Sequence, residues 1–287
     1  MAVLNKRAVV SAIEMYGVSS IRLPMVLGES FDQLIKPLFA NNEQGFFYDP
    51  NDLSTMFQDT AGTVPVTAVG RPVGLILDKS GRNNHAYQTT SASRPILRQN
   101  ATTGAYYLEF DGSDDFFVTN SIDFTVTDKI SLFTGVRKLA DSTQIIAELS
   151  AQVAINNGTF YLVAGDDANG VGYTSLGRRG VIANIDQIAR NFTYLAPDTA
   201  VLSAKHNISG NLSSMRRNGV VGINGTGSKG EGNFGNYPLY IGRRGGTSLP
   251  FNGHIYGLIG IGKLVSDRET TSIEKELAKR AGVTLSV

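Results

Sequence analysis

The chain has 287 residues, 18% of them charged, with 26 Lys and Arg against 25 Asp and Glu and a net charge of +1. That balance excludes a global electrostatic pull toward nucleic acid or a membrane surface, and the absence of Cys excludes disulfides, thiolate metal sites and cysteine nucleophiles. The 32 Gly, 11 Tyr and 14 Phe describe a loop-rich β protein, long enough to be stabilised by a packed core alone.

No stretch approaches the roughly 18 apolar residues of a membrane span. At the N-terminus, MAVLNKRAVVSAIEMYG has its apolar run interrupted by Glu14 and shows no small-residue cleavage pattern, so no signal peptide is expected. Residues 1–45 hold two short segments of near-helical apolar spacing, NKRAVVSAIEMYG and ESFDQLIKPLFANN, broken by Pro24 and Pro37. This region reads as a docking arm that presents Val9, Val10, Ile13, Leu34, Ile35 and Phe39 to a partner. Its removal is expected to leave a folded domain over 46–287.

From residue 46 the period changes to that of strands. YYLEFDG, KISLFTGVRKL, QIIAELS, QVAIN and TFYLVAG follow one another, with Asn156-Asn157-Gly158 as a tight turn. TAVLSAKHNIS and NLSSMRRNGVVGIN come next, and Asn218-Gly219 is the strongest hairpin signal because both turn positions need φ > 0. PLYIGRR and NGHIYGLIGIGKLV complete the set. In the last, Ile255, Gly257, Ile259 and Ile261 alternate with Tyr256, Leu258 and Gly260, which predicts a central strand covered on both faces. The chain closes with one helix over about 266–281. Ser266 and Glu269 form a capping box, Ile273, Leu277 and Ala281 share a face, and Gly282 terminates it. Many short strands and one helix predict an all-β fold, a two-sheet antiparallel sandwich or jelly roll.

Four segments, LILDKSGRNNHAYQ (75–88), YLEFDGSDDFF (107–117), SSMRRNGV (213–220) and LYIGRRGGTSLPFNGHIYGLIGIGKLVSDRE (239–269), resemble the laminin-G-like modules of the concanavalin A-like jelly-roll superfamily. With FYDPNDLSTMFQDTAGTVPVTAVGRPVG (47–74) before them, they resemble the versions of this module found in bacteriophage structural proteins. The resemblance implies a jelly-roll domain over 46–287 and a virion structural protein, a tail or baseplate appendage assembled in the bacterial cytoplasm. Its expected partners are other virion proteins, further copies of itself and a host-surface glycan. Capsid decoration without a ligand and a surface-polysaccharide depolymerase are the alternatives, since this fold carries all three roles.

The chemistry is sparse. Retaining glycanases of this fold resemble E-x-D-x-x-E, with two carboxylates about 5 Å apart. Here Glu109-Phe110-Asp111 is followed by Gly112, Ser113 and Asp114, which reads as a turn. No catalytic residues are therefore expected. Asp78, Asp111 and Asp114 offer oxygens for Ca²⁺, the one cofactor considered, although Asp in turns more often bonds local backbone. His85, His206 and His254 have no metal-ligand spacing. Three Arg pairs, at 178–179, 216–217 and 243–244, lie at strand ends. Arg178, Arg216, Arg243 and Arg244, with Tyr87 and Tyr237, are the candidate glycan contacts, against the reading of solvated edge charges.

Overall fold

Alternating apolar residues make strands, and Gly and Asn make the turns between them, over residues 30–165, 171–179, 189–191 and 193–286, which this computed structural model describes. A short helix, α1 (Phe31–Ile35), runs into a 3-10 turn at Lys36–Phe39. Then come β1 (Gly45–Tyr48), β2 (Met56–Phe57), β3 (Leu75–Ile76), β4 (Ala86–Tyr87), β5 (Ile96–Gln99), β6 (Tyr106–Asp111) and β7 (Phe117–Asp123). The middle of the chain supplies β8 (Lys129–Lys138), β9 (Gln144–Leu149), β10 (Thr159–Ala164), β11 (Tyr173–Arg178) and β12 (Ala189–Asn191). Last are β13 (Asp198–Asn207), β14 (Leu212–Arg217), β15 (Val220–Val221), β16 (Asn236–Ile241), β17 (Asn252–Ile261) and the helix α2 (Asp267–Ala281).

The strands form two sheets. Sheet A runs β15-β14-β13-β8-β17-β6-β5, with β1 also on β17, and sheet B runs β12-β11-β10-β9-β16-β7-β4-β3-β2. Their facing sides enclose the main core, in which Phe46, Phe110, Phe117, Phe124 and Phe160 are buried. A two-sheet antiparallel sandwich with one C-terminal helix is the fold the sequence predicts.

β17 is the central strand. One edge pairs with β8 throughout. The other pairs with β6 over Asn252–Ile255 and with β1 over Leu258–Ile261. Between these partners the register shifts, a β-bulge at Tyr256. The bulge alters the expected side-chain phase. Ile255 lies in the main core with Leu258, whereas Ile259 and Ile261 lie in a second core on the outer face of sheet A. Strict alternation would have put Ile255, Ile259 and Ile261 together, and one extra residue separates them. β1 approaches β17 closely because Gly260 has no side chain: a Cβ there would sit 2.3 Å from the Phe46 ring.

α2 covers the outer face of sheet A. Ser266 accepts a hydrogen bond from the Glu269 backbone and Glu269 returns one, completing the capping box, while Gly282 closes the helix in the left-handed conformation at φ 74°. Ile273 and Leu277 are fully buried against Phe133, Val201 and Ile259. At the NG hairpin between β14 and β15, Asn218 and Gly219 have φ of 50° and 84°, as a two-residue turn of this type requires.

Two sequence readings are corrected. QVAIN (152–156) is not a strand, because β9 ends at Leu149 and the chain loops across to β10. The arm boundary at 45 also moves. Ile35 and Phe39 are buried, and Leu34 is packed, in the protein's own second core. Arg280 lies 4.1 Å over the Phe31 ring and Lys79 Nζ lies 2.6 Å from Asp32 Oδ1. Residues 31–45 therefore belong to the sandwich, and Phe31–Val287 is one compact unit. Val9, Val10 and Ile13 lie outside the described residues.

Phe31–Val287 expressed alone is expected to unfold in a single cooperative thermal transition. A chain beginning at residue 46 should melt lower or aggregate, since each of Phe31, Ile35, Leu38 and Phe39 contributes about 1.5–3 kcal/mol of burial. Circular dichroism melts of the two truncations check this; equal melting temperatures would restore the boundary at 45.

Candidate functional site

Leu108 and Phe110 of β6 enter the main core, so Tyr107 and Glu109 must point to the outer face of sheet A. There they meet side chains from three neighbouring strands. His254 stands directly opposite Glu109 on one side and Arg137 on the other, and Arg98 stands opposite Tyr107. Tyr107 and His254 stack with ring centroids 4.1 Å apart and planes at 21°. The buried ring of Tyr256 lies 5.1 Å from Tyr107, and its hydroxyl accepts a hydrogen bond of 3.3 Å from Asn100 Nδ2. The result, among the described residues, is a half-buried strip on the outer face of sheet A, a stacked aromatic pair flanked by charged groups.

Arg98 Nη2 donates to Glu109 Oε1 at 3.1 Å, with the two side chains 44% and 35% exposed. Such a pair adds little stability, on the order of 0–1 kcal/mol, but it orients Glu109. Burial lowers the pKa of His254 to about 4, with Glu109 opposing and Arg137 and Arg98 assisting, so its ring is neutral near pH 7. The strip thus carries two guanidinium charges and one carboxylate. The stack covers the faces the two rings turn to each other, so a pyranose could meet only an outward ring face, and the charged groups could bond its hydroxyls.

At the other end of the sheet order, Ser203, Lys205, Ser214, Arg216, Asn224 and Asp267 line a groove of about 330 Å³. Its cations are occupied, Lys205 by Asp267 at 2.8 Å and Arg216 by the buried Glu274 at 3.1 Å.

The sequence-predicted contacts do not converge on a ligand. Arg216 lines the groove. Arg178 and Arg244 meet instead on the loop after β9: Arg178 Nη2 donates to the Val153 carbonyl, Val153 N donates to Glu148 Oε1, and Arg244 Nε lies 2.7 Å from Glu148 Oε2. Glu148 is fully buried, and burial raises its pKa despite Arg244. Arg244 is structural, because a buried carboxylate with its partner removed is strongly destabilising, and Arg178 is fully buried against the Val153 carbonyl. Arg243 donates to the Thr247 carbonyl across its own turn. Tyr87 and Tyr237 are on sheet B, with Tyr237 half-buried against the main core.

Asp78 is likewise internal. Its carboxylate accepts hydrogen bonds from the backbone of Phe47, Ser80 and Asn84 and from Ser80 Oγ. Asp111 and Asp114 instead cluster with Asp115, their ligand atoms within 4.8 Å of one another. Three carboxylates suit a hard cation such as Ca²⁺. Local groups already engage them: Asp111 accepts from Ser113 N and Asp114 N, Asp114 from Ser93 Oγ, and Asp115 from Asp111 N. Burial, with the neighbouring carboxylates, raises Asp115 to about 6. His206 is a satisfied core residue between Ser175 of sheet B and Ser213 of sheet A, each at 2.8 Å.

By sequence the chain matches no family profile and no curated protein. Its fold matches solved β-sandwiches. One is a GH54 α-L-arabinofuranosidase, 13% identical with a TM-score of 0.57 over 86% of this chain and 65% of that one. Another is domain 4 of AbnA, a GH43 extracellular arabinanase from Geobacillus stearothermophilus, in complex with arabinotriose, 13% identical with a TM-score of 0.50 over 81% of this chain and 98% of that one. A third is the receptor-binding domain of botulinum neurotoxin D, 11% identical with a TM-score of 0.50, of which this chain spans 50% and is itself covered over 70%. The fold is shared. It carries hydrolases and binding domains alike, so the likeness does not decide between them.

Asp115 takes up a proton more readily folded than unfolded, so it removes stability as pH rises from about 4 to about 6. Burial lowers His206 to about 3, so it acts in the opposite sense, and its contribution is lost as pH falls below its unfolded value of 6.5. Asp115→Asn is expected to raise stability at pH 7 by about 1–3 kcal/mol and to leave stability at pH 4 nearly unchanged. Urea unfolding of both proteins at the two pH values measures this, and equal stabilities at pH 7 would refute it.

Proposed function

We propose that the chain is a non-catalytic, glycan-binding β-sandwich of a bacteriophage virion, displayed in several copies for attachment to the host surface. The observation that carries the glycan reading is the strip of Tyr107, His254, Glu109, Arg98 and Arg137, a half-buried aromatic stack flanked by hydrogen-bonding groups. The arabinotriose bound to the arabinanase domain of the same fold supports it. The virion setting rests on the resemblance of segments 75–88, 107–117, 213–220 and 239–269, preceded by 47–74, to the laminin-G-like modules of bacteriophage structural proteins. Weak single-site contacts would add through avidity in a multicopy assembly.

A depolymerase is the second reading, and the raised pKa of Asp115 beside Asp111 and Asp114 favours it. Against it, each of these carboxylates accepts a local hydrogen bond from backbone or Ser93.

A glycan-array measurement on the full chain presented as multimers, with and without Ca²⁺, tests both readings. Binding that falls at least about tenfold in Tyr107→Ala, the loss of one stacking contact, with no release of reducing ends, is the expected result. Turnover abolished by Asp115→Asn would establish the depolymerase, and a negative array would favour capsid decoration.

A further inference from the structure

We propose that the ligand of the strip bears a carboxylate and that Arg137 reads it, so that the protein selects acidic glycans over neutral ones. This rests on the reading of the strip as a glycan site.

Charge accounting on sheet A sets Arg137 apart. Arg98 is held by Glu109, Lys138 by Asp141, Lys205 by Asp267, Arg216 by Glu274 and Arg217 by Asp198. Among the described residues Arg137 enters no ion pair, and its Nε is buried with no hydrogen-bond partner. Its cross-strand neighbours are Thr199 and His254, neither of which is charged near pH 7. Glu109, the carboxylate of the strip, is two strands away, about 10 Å between backbones, and is already engaged by Arg98. With His254 neutral, the strip keeps one uncompensated positive charge, centred on Arg137.

A neutral sugar on the Tyr107–His254 floor could bond Glu109 through its hydroxyls, but it would leave that charge as it stands. A sugar with a carboxylate can satisfy both walls at once, its hydroxyls toward Glu109 and its carboxylate on the guanidinium fork, which matches that group in shape and charge. The missing partner within the protein is thus the feature a carboxylate ligand would supply.

The test uses the full chain, as multimers, against immobilised oligosaccharides of glucuronate, galacturonate and N-acetylneuraminate, and against the same oligosaccharides with their carboxyl groups reduced to alcohols. Loss of a charge-assisted contact corresponds to about 10-fold to 100-fold in affinity. We expect that difference between at least one acidic ligand and its reduced form, and we expect Arg137→Gln to abolish it while Arg137→Lys keeps part. The melting temperature of Arg137→Gln should match the parent, because no ion pair is lost, which separates a binding effect from a folding one. Equal binding of acidic and reduced forms would overturn the carboxylate inference and leave the glycan reading intact. An acid preference that survives Arg137→Gln would overturn the assignment to Arg137. No binding to any ligand by the folded chain would overturn both.

Discussion

The fold depends on one strand with three partners. β17 holds β8 along one edge and divides the other between β6 and β1, and its side chains enter two cores on opposite faces. A single continuous register could not serve both neighbours while placing Ile255 in one core and Ile259 in the other. The bulge at Tyr256 reconciles them by adding one residue where the partner changes. Its consequence for the site is direct. On the β1 side of the bulge the outer face is apolar and covered by α2; on the β6 side it carries the half-buried Tyr107, Glu109 and His254.

Charge is distributed along the same division. Three buried polar groups are matched: Glu148 with Arg244, Glu274 with Ser203 and Arg216, His206 between two serines. Leaving any of these half-made would cost more than an apolar core in its place. These groups hold the outer loops and α2 to the sheets and are unavailable to a ligand. The strip follows the opposite rule. Its one ion pair is partly exposed and weak, and among the described residues Arg137 enters none.

Short-range patterns were legible from the residues. The capping box at Ser266 and Glu269, the Gly282 terminator, the Asn218-Gly219 turn and the strands β6, β8, β9, β10, β13, β14, β16 and β17 each depend on neighbours a few positions away, so period and turn chemistry suffice, whereas β7, β11 and β12 are not among the strands the sequence predicts. QVAIN misled because its alternation over five residues is equally compatible with a loop packed on an outer sheet face, as Val153 is. ESFDQLIKPLFANN was read correctly as helical but assigned to a separate arm, since nothing local to it reveals that Phe31 meets Arg280.

The site was hidden for the same reason. Tyr107 and His254 are separated by more of the chain than any spacing rule covers, and they stack only because β6 and β17 pair in one register. The Arg pairs drew attention because they are adjacent in sequence, yet adjacency on a strand sends side chains to opposite faces. Composition, period and caps by themselves determined an antiparallel sandwich, its hairpins and its terminal helix. Tertiary structure alone decided that Arg244 and Arg216 reach the buried Glu148 and Glu274 while Arg137 of β8 meets no carboxylate among the described residues, because that depends on strand order and on a one-residue bulge, neither of which local sequence encodes.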